Sequence, residues 1–248
     1  MAESLYHLSE SLVWMPTSAP QQQLVIIQDC VEASGSFLVH HFTSLFLKAG
    51  HRVCVVSSAN SPEHHAAVGR KLGINFATCQ STKQLYVLNW TRLETQNPKA
   101  AWMDLFNDLK RFTDEENENA KSIVLDDVSA LNWRFGEAAV LNFVRCCKTL
   151  THEKNGGVNV VLLTHADTDL PASRLMSPAL ADMATVVLTT RPLPSGYSKD
   201  IHGTLSIHRQ SWSTSVHSLD EEPNVISYKI LENTIKCFPT TGETLRRT

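Results

Sequence analysis

The sequence predicts an α/β domain in three layers, with a mostly parallel central sheet, helices on both faces and antiparallel strands or a hairpin at its C-terminal end. Three observations carry that expectation. Short continuous apolar runs at 24–27, 53–56, 123–125, 160–163 and 186–188 have the length and β-branched content of strands buried on both faces. Between them lie longer segments whose apolar residues recur at three- and four-residue spacing, the period of a helix packed on one side. After Pro192 the pattern changes to period-two alternation without crossover segments, which marks antiparallel strands.

Residues 1–20 read as an N-terminal arm. Leu5, Leu8 and Leu12 fall at helical spacing, and Thr17 to Gln23 reads as a linker; the stripe is expected to pack on its own domain. A single domain spans 21–240, followed by a tail at 241–248, because 248 residues suffice for one large core. Leu24 to Gly50 reads as a strand, a tight turn at Gly35 and a helix. That helix carries Leu38, Phe42, Leu45, Phe46 and Ala49 on one face and is stopped by Gly50. Arg52 to Ser57 follows as a parallel strand. Ser61 caps a helix with Pro62 at its first position, ending at Gly73. Gln84 to Trp90 is a third strand, and about Lys99 to Phe112 is a helix with Trp102, Leu105, Phe106 and Leu109 inward. The run 114–119, DEENEN, is expected to be a solvated loop.

Ser122 to Asp127 is an apolar strand ending in two carboxylates, and Glu137 to Leu150 is a helix facing the sheet through Val140, Phe143, Val144, Cys147 and Leu150. Val158 to Thr164 is a buried strand, and Asn155-Gly156-Gly157 ends the connection to it. Pro171 to Met183 is a short helix or loop holding Arg174, and Thr185 to Thr190 is a further strand. Gly203 to Arg209 and Val225 to Phe238 complete the sheet, the last as a hairpin about Glu232-Asn233. In that register Ile230 faces Ile235, Tyr228 faces Cys237 and Lys229 lies opposite Lys236.

Composition narrows the function classes. No apolar run approaches the roughly 20 residues of a membrane span, and Glu3 and Glu10 replace the basic start of a secretion signal, so a soluble chain is expected. Six cysteines without a C-x-x-C pair suit reduced thiols of a cytoplasmic or nuclear protein. A net charge of −3 leaves nucleic-acid contact to a local patch or to partner chains.

The motif evidence is mostly negative. A phosphate-binding loop needs G-x-x-x-x-G-K-[ST], because glycines let backbone amides close round phosphates, the Lys adds charge and the hydroxyl holds magnesium. Laid on Gly35 as second glycine, the pattern meets Cys30 for the first glycine, Ser36 for the Lys and Phe37 for the hydroxyl residue. No cofactor is therefore expected there. Asp126 and Asp127 stand where a Walker B carboxylate holds magnesium, but Phe37 cannot share the metal, so a structural role is preferred. His165, at a strand end, is read as a hydrogen-bonded structural group ahead of a sensor or base. The adjacent pairs His40-His41, His64-His65 and Cys146-Cys147 diverge by about a hundred degrees on a helix, so no metal site is expected.

The degenerate loop, the LDD strand end and the terminal antiparallel strands together resemble a RecA-like domain that has lost its nucleotide site. The run Gly35 to Phe42 (GSFLVHHF), with Lys71-Leu72-Gly73, Val124 to Asp127 and Val225 to Phe238, resembles more closely the family of Elongator complex subunit six, over roughly residues 22–238. The resemblance implies a RecA-like fold without a Walker motif and without catalysis of its own. It also implies a heterohexameric ring with Elongator subunits 4 and 5, attached to the catalytic Elongator subcomplex that modifies the wobble uridine of certain tRNAs at the 5-position. The ring would bind tRNA and help release it; Arg174, Lys229 and Lys236 are the candidate RNA contacts. The alternative is an atypical ATPase with a composite nucleotide site, completed across a subunit boundary by Asp126 or by Arg134, Arg174 or Arg191.

Overall fold

The structure is a computed structural model and describes residues 6–91, 98–116, 118–152, 157–167, 173–210 and 224–239. Residues 1–5 of the arm, the tail 241–248 and Asn155-Gly156 lie outside it. Strands β1 (Leu24–Asp29), β2 (Arg52–Ser57), β3 (Leu85–Asn89), β4 (Lys121–Leu125), β5 (Asn159–His165) and β6 (Val186–Arg191) run parallel. β7 (Gly203–Arg209), β8 (Asn224–Ile230) and β9 (Ile235–Pro239) continue the sheet antiparallel, giving the order β3-β2-β4-β5-β1-β6-β7-β8-β9. This is the RecA-like three-layer arrangement.

Two helical layers cover the two faces. Helices α1 (Tyr6–Leu12), α2 (Ser36–Lys48) and α3 (Pro62–Lys71) contribute to one core, where Leu8, Leu12, Phe42, Leu45 and Phe46 meet Val25, Ile27, Val53 and Val55. Helices α5 (Pro98–Asp114), α6 (Val128–Phe135), α7 (Glu137–Leu150) and α8 (Ser173–Met183) enclose the other with Leu24, Ile26, Ile123 and Leu125. Alternate residues of each parallel strand thus enter opposite cores, which is why these strands read as unbroken apolar runs. Helix α1 has seven residues, too few to hold together alone in water. Packing holds it: Leu8 and Leu12 are buried, each contributing roughly 1.5–3 kcal/mol. The Arg209 guanidinium donates to the Leu12 carbonyl and lies 4.7 Å from the Trp14 ring centroid.

The terminal hairpin has the expected register, with Tyr228 opposite Cys237, Lys229 opposite Lys236 and Ile230 opposite Ile235. Three features depart from the expectations. Helix α4 (Phe76–Ser81) follows α3 directly, capped by the Asn75 side chain; its six residues are too few to show a period. Segment 128–135, which carries no marked sequence signal, is helix α6, started by Asp127 accepting from the Ser129 amide at 2.6 Å. The acidic run is not all solvated loop. Asp114 ends α5, and Glu115 receives the guanidinium of buried Arg52, which also lies 5.0 Å from the Tyr86 ring centroid. Arg52 opens a buried strand whose next four residues, Val53 to Val56, are apolar, so its charge must be met from outside the sheet. Among the described residues no helix is long and apolar enough to cross a membrane.

Candidate functional site

Parallel strands deliver their C-terminal ends to one edge, where open α/β sheets bind ligands. Here β1 ends in Asp29, β4 leads into Asp126 and Asp127, β5 ends in His165, and β2 opens into Ser58-Ala59-Asn60. Asp29 and His165 are register partners on neighbouring strands. The His165 Nδ1 lies 2.6 Å from Asp29 Oδ1, and its Nε2 lies 3.3 Å from Asp127 Oδ2. Both carboxylates are buried while the imidazole is 47% exposed. Bonds to Asp127 and Asp29 outweigh burial and raise the His165 pKa to about 10, so the ring is an imidazolium between two carboxylates.

Asp29 also closes the turn where a phosphate would be held. Its Oδ2 accepts from the Gly35 amide at 2.7 Å, at the N-terminus of α2. That end of a helix is a ready anion site, and here the anion is the protein's own. The Ala33 amide is likewise used, donating to the Cys30 carbonyl at 3.1 Å. Gly35 is required by crowding: a Cβ there would sit 2.8 Å from Ile27 Cγ2 and 3.2 Å from Asp29 Cβ. Gly35→Ala is expected to destabilise the chain by about 1–3 kcal/mol, measured as a lower urea midpoint at unchanged slope.

Asp126 is enclosed separately by the loop after β2. Its carboxylate accepts from the Ser58 amide (2.7 Å) and hydroxyl (2.6 Å), the Ala59 amide (3.1 Å) and the Asn60 amide (2.8 Å). The buried His65 Nε2 approaches it at 3.1 Å. Burial alone would raise the Asp126 pKa, but bonds from His65, Ser58 and the Asn60 and Ser58 amides lower it to about 2. Its oxygens are saturated, so no lone pair faces outward for a metal.

A magnesium nucleotide does not fit this edge. The loop amide is bonded to Asp29, Asp126 is wrapped, and Asp127 caps α6 and holds His165. Phe37, half-buried, packs against the core with its ring 4.9 Å from the Tyr228 ring, centroid to centroid. Cys30 is half-buried, and Ser36 is exposed with its amide 3.3 Å from Ser34 Oγ. Of the arginines considered for a neighbouring site, Arg134 donates to the Trp90 and Thr91 carbonyls, at 2.9 and 2.6 Å. Arg191 is exposed, and the Arg174 side chain lies outside the described residues, although α8 contains it. Lys229 is 3.2 Å from Asp200, whereas Lys236 is exposed. Cys30 and Asp167, both half-buried, and exposed Glu32 place one donor atom each within 4.8 Å of one another on the rim; surface acidic groups of this kind are common.

Sequence reasoning missed Asp29, the 58–60 loop and the role of His65. Asp29 reads in the sequence as the end of a strand; only the adjacency of β1 and β5 makes it a partner of His165. Adjacent histidines do diverge, but packing of α2 on α3 brings His40 within 5.6 and 5.3 Å, centroid to centroid, of His64 and His65.

This sheet order defines a RecA-like α/β protein. A family model for Elongation complex protein 6 matches residues 5–97 and 92–232, and the chain belongs to that family. It is similar to Elongator complex protein 6 of Mus musculus, 30% identical over an alignment of 260 positions that covers 93% of this chain and 95% of the relative. The Xenopus tropicalis relative of that name is 29% identical, covering 84% of this chain and 86% of its own. The Homo sapiens one is 27% identical, covering 93% and 95%.

Proposed function

We propose that the chain is a non-catalytic, RecA-like subunit of the Elongator complex that assembles with subunits 4 and 5 into a heterohexameric ring. The ring binds tRNA and supports wobble-uridine modification by the catalytic subcomplex. The observation that carries the non-catalytic reading is the closure of the phosphate-loop turn by Asp29, with His165 as its internal counter-ion. A domain whose anion site and Walker-type carboxylates are bonded to the chain itself has its surfaces left for work. Family membership supports the assembly, since the relatives are named as members of the Elongator complex. Val31, 85% exposed in the loop after β1, and Trp133, 82% exposed on α6, offer apolar contact area near the same edge. For RNA, exposed Lys236 is the stronger candidate than Lys229, whose charge Asp200 offsets.

Two measurements test this. Calorimetry with ATP and magnesium on the isolated chain is expected to show no binding; micromolar affinity would sink the non-catalytic reading. Co-expression with subunits 4 and 5 followed by native mass spectrometry is expected to give a six-chain particle with two copies of each subunit. A chain that stays monomeric in that mixture would rule out the ring.

A further inference from the structure

Away from the sheet edge, a cavity of about 290 Å³ opens between α1, α2, α3 and the β8–β9 turn. Its α2 wall carries Phe37 and His40, its α3 wall carries His64, Val68 and Leu72 at four-residue spacing, and the turn supplies Glu232. Adjacent histidines on one helix cannot share a ligand. Packing of α2 on α3 instead sets one ring from each helix side by side, with His40 and His64 5.6 Å apart, centroid to centroid. His40 is 9% exposed and forms no side-chain hydrogen bond; its ring nitrogens are not sealed from open space, as both of His41 and Nδ1 of His65 are. The open space it borders is this cavity. His64 is exposed, and its ring too has no hydrogen-bond partner among the described residues. The Glu232 side chain is 84% exposed, and its ion pair with Lys71, at 3.9 Å, is of the solvated kind that contributes little.

We infer that His40, His64 and Glu232 bind a divalent transition metal of the zinc class, which ties α2 and α3 to the terminal hairpin. The donor set selects the metal: imidazole nitrogens suit zinc and its neighbours, and two histidines with one glutamate form a set that zinc accepts, leaving a fourth position for water. Geometry allows it. Two imidazoles bonded at about 2.0–2.1 Å to one tetrahedral zinc have ring centroids about 5 Å apart, so the observed 5.6 Å calls for a small turn of the exposed His64 ring. Glu232 faces Lys71 in this structure, so the three donors converge only when its carboxylate swings inward. Lys71 lies two helical turns after His64 on the same face of α3, which puts the carboxylate on the right side of the cavity. His65 is not a ligand, since its Nε2 approaches Asp126 at 3.1 Å and its Nδ1 is sealed. The inference does not depend on ring assembly, because all three ligands belong to one chain.

Zinc, titrated into the full chain after removal of metal by a chelator, is expected to bind saturably and to shift the ring nitrogens of His40 and His64 in ¹⁵N–¹H correlation. Cobalt(II) in the same place should give the visible absorption of a tetrahedral ion without a thiolate charge-transfer band, which separates this site from the cysteines. His64→Ala and Glu232→Gln, both at exposed positions, should each weaken zinc at least tenfold. His64→Cys, which supplies another zinc ligand, should restore binding and add the thiolate band, and Cys30→Ser should change nothing. The proposal is overturned if either His64→Ala or Glu232→Gln binds zinc as tightly as the parent, if the parent's cobalt spectrum shows thiolate, or if the His40 and His64 nitrogens stay in place. Absence of zinc binding below about 0.1 mM overturns it as well.

Discussion

Asp126→Ala is expected to cost about 3–5 kcal/mol of stability, the range for removing one partner from a buried charged network. Marginal domains have only about 5–15 kcal/mol to lose, so the variant should be largely aggregated or unfolded near 37 °C. The cause is what the change leaves behind. Amides of Ser58, Ala59 and Asn60, together with the His65 ring, converge on one carboxylate, and removing it strands them in a buried space. Asp126→Asn should fall between, since its single amide oxygen can accept while its NH₂ faces other donors. Urea unfolding measures both. A catalytic carboxylate behaves otherwise: its loss abolishes turnover in a chain that still folds. An Asp126→Ala midpoint within about 1 kcal/mol of the parent would therefore refute the structural role.

The second large effect is a peaked dependence of stability on pH. His165 has its pKa raised from the ordinary 6.5 to about 10. The folded chain therefore holds a proton there that the unfolded chain has lost, so its stabilisation is complete below pH 6.5 and disappears as pH rises through about 10. His40 and His41 are lowered from 6.5 to about 3. Between those values the unfolded chain binds two more protons, one for each ring, so stability falls as pH drops below 6.5. Asp126, lowered from 3.8 to about 2, adds stability that is present above 3.8 and lost as pH falls towards 2. The curve should peak near pH 6.5. His165→Gln should flatten its alkaline limb and lower the maximum, because Asp29 and Asp127 then face each other without a cation. Denaturant midpoints from pH 4 to 9.5 check it; an alkaline limb unchanged in His165→Gln would contradict the assignment.

Much of the scaffold was legible because its signals are local. Strand β2, the capped start of α3, helix α7 and strand β7 each declare themselves through apolar period and caps within the segment itself. The hairpin register followed from alternation about one turn. The candidate site was legible only as a loss, in Cys30, Ser36 and Phe37. What replaces the lost chemistry depends on which strands become neighbours: Asp29 meets His165 because β1 lies beside β5, and Asp126 meets the 58–60 loop because β4 lies beside β2. Glu115 gave no local sign that it serves Arg52, 63 positions earlier in the chain.

The closed turn also limits what engineering could recover. Writing Gly, Lys and Thr into positions 30, 36 and 37 would restore the letters of a phosphate loop while leaving its negative floor in place. Asp29 would still claim the Gly35 amide and hold His165, so an incoming triphosphate would meet a like charge where it needs a donor. The closure of the turn thus rests on a residue outside the motif, and no change confined to the motif opens it.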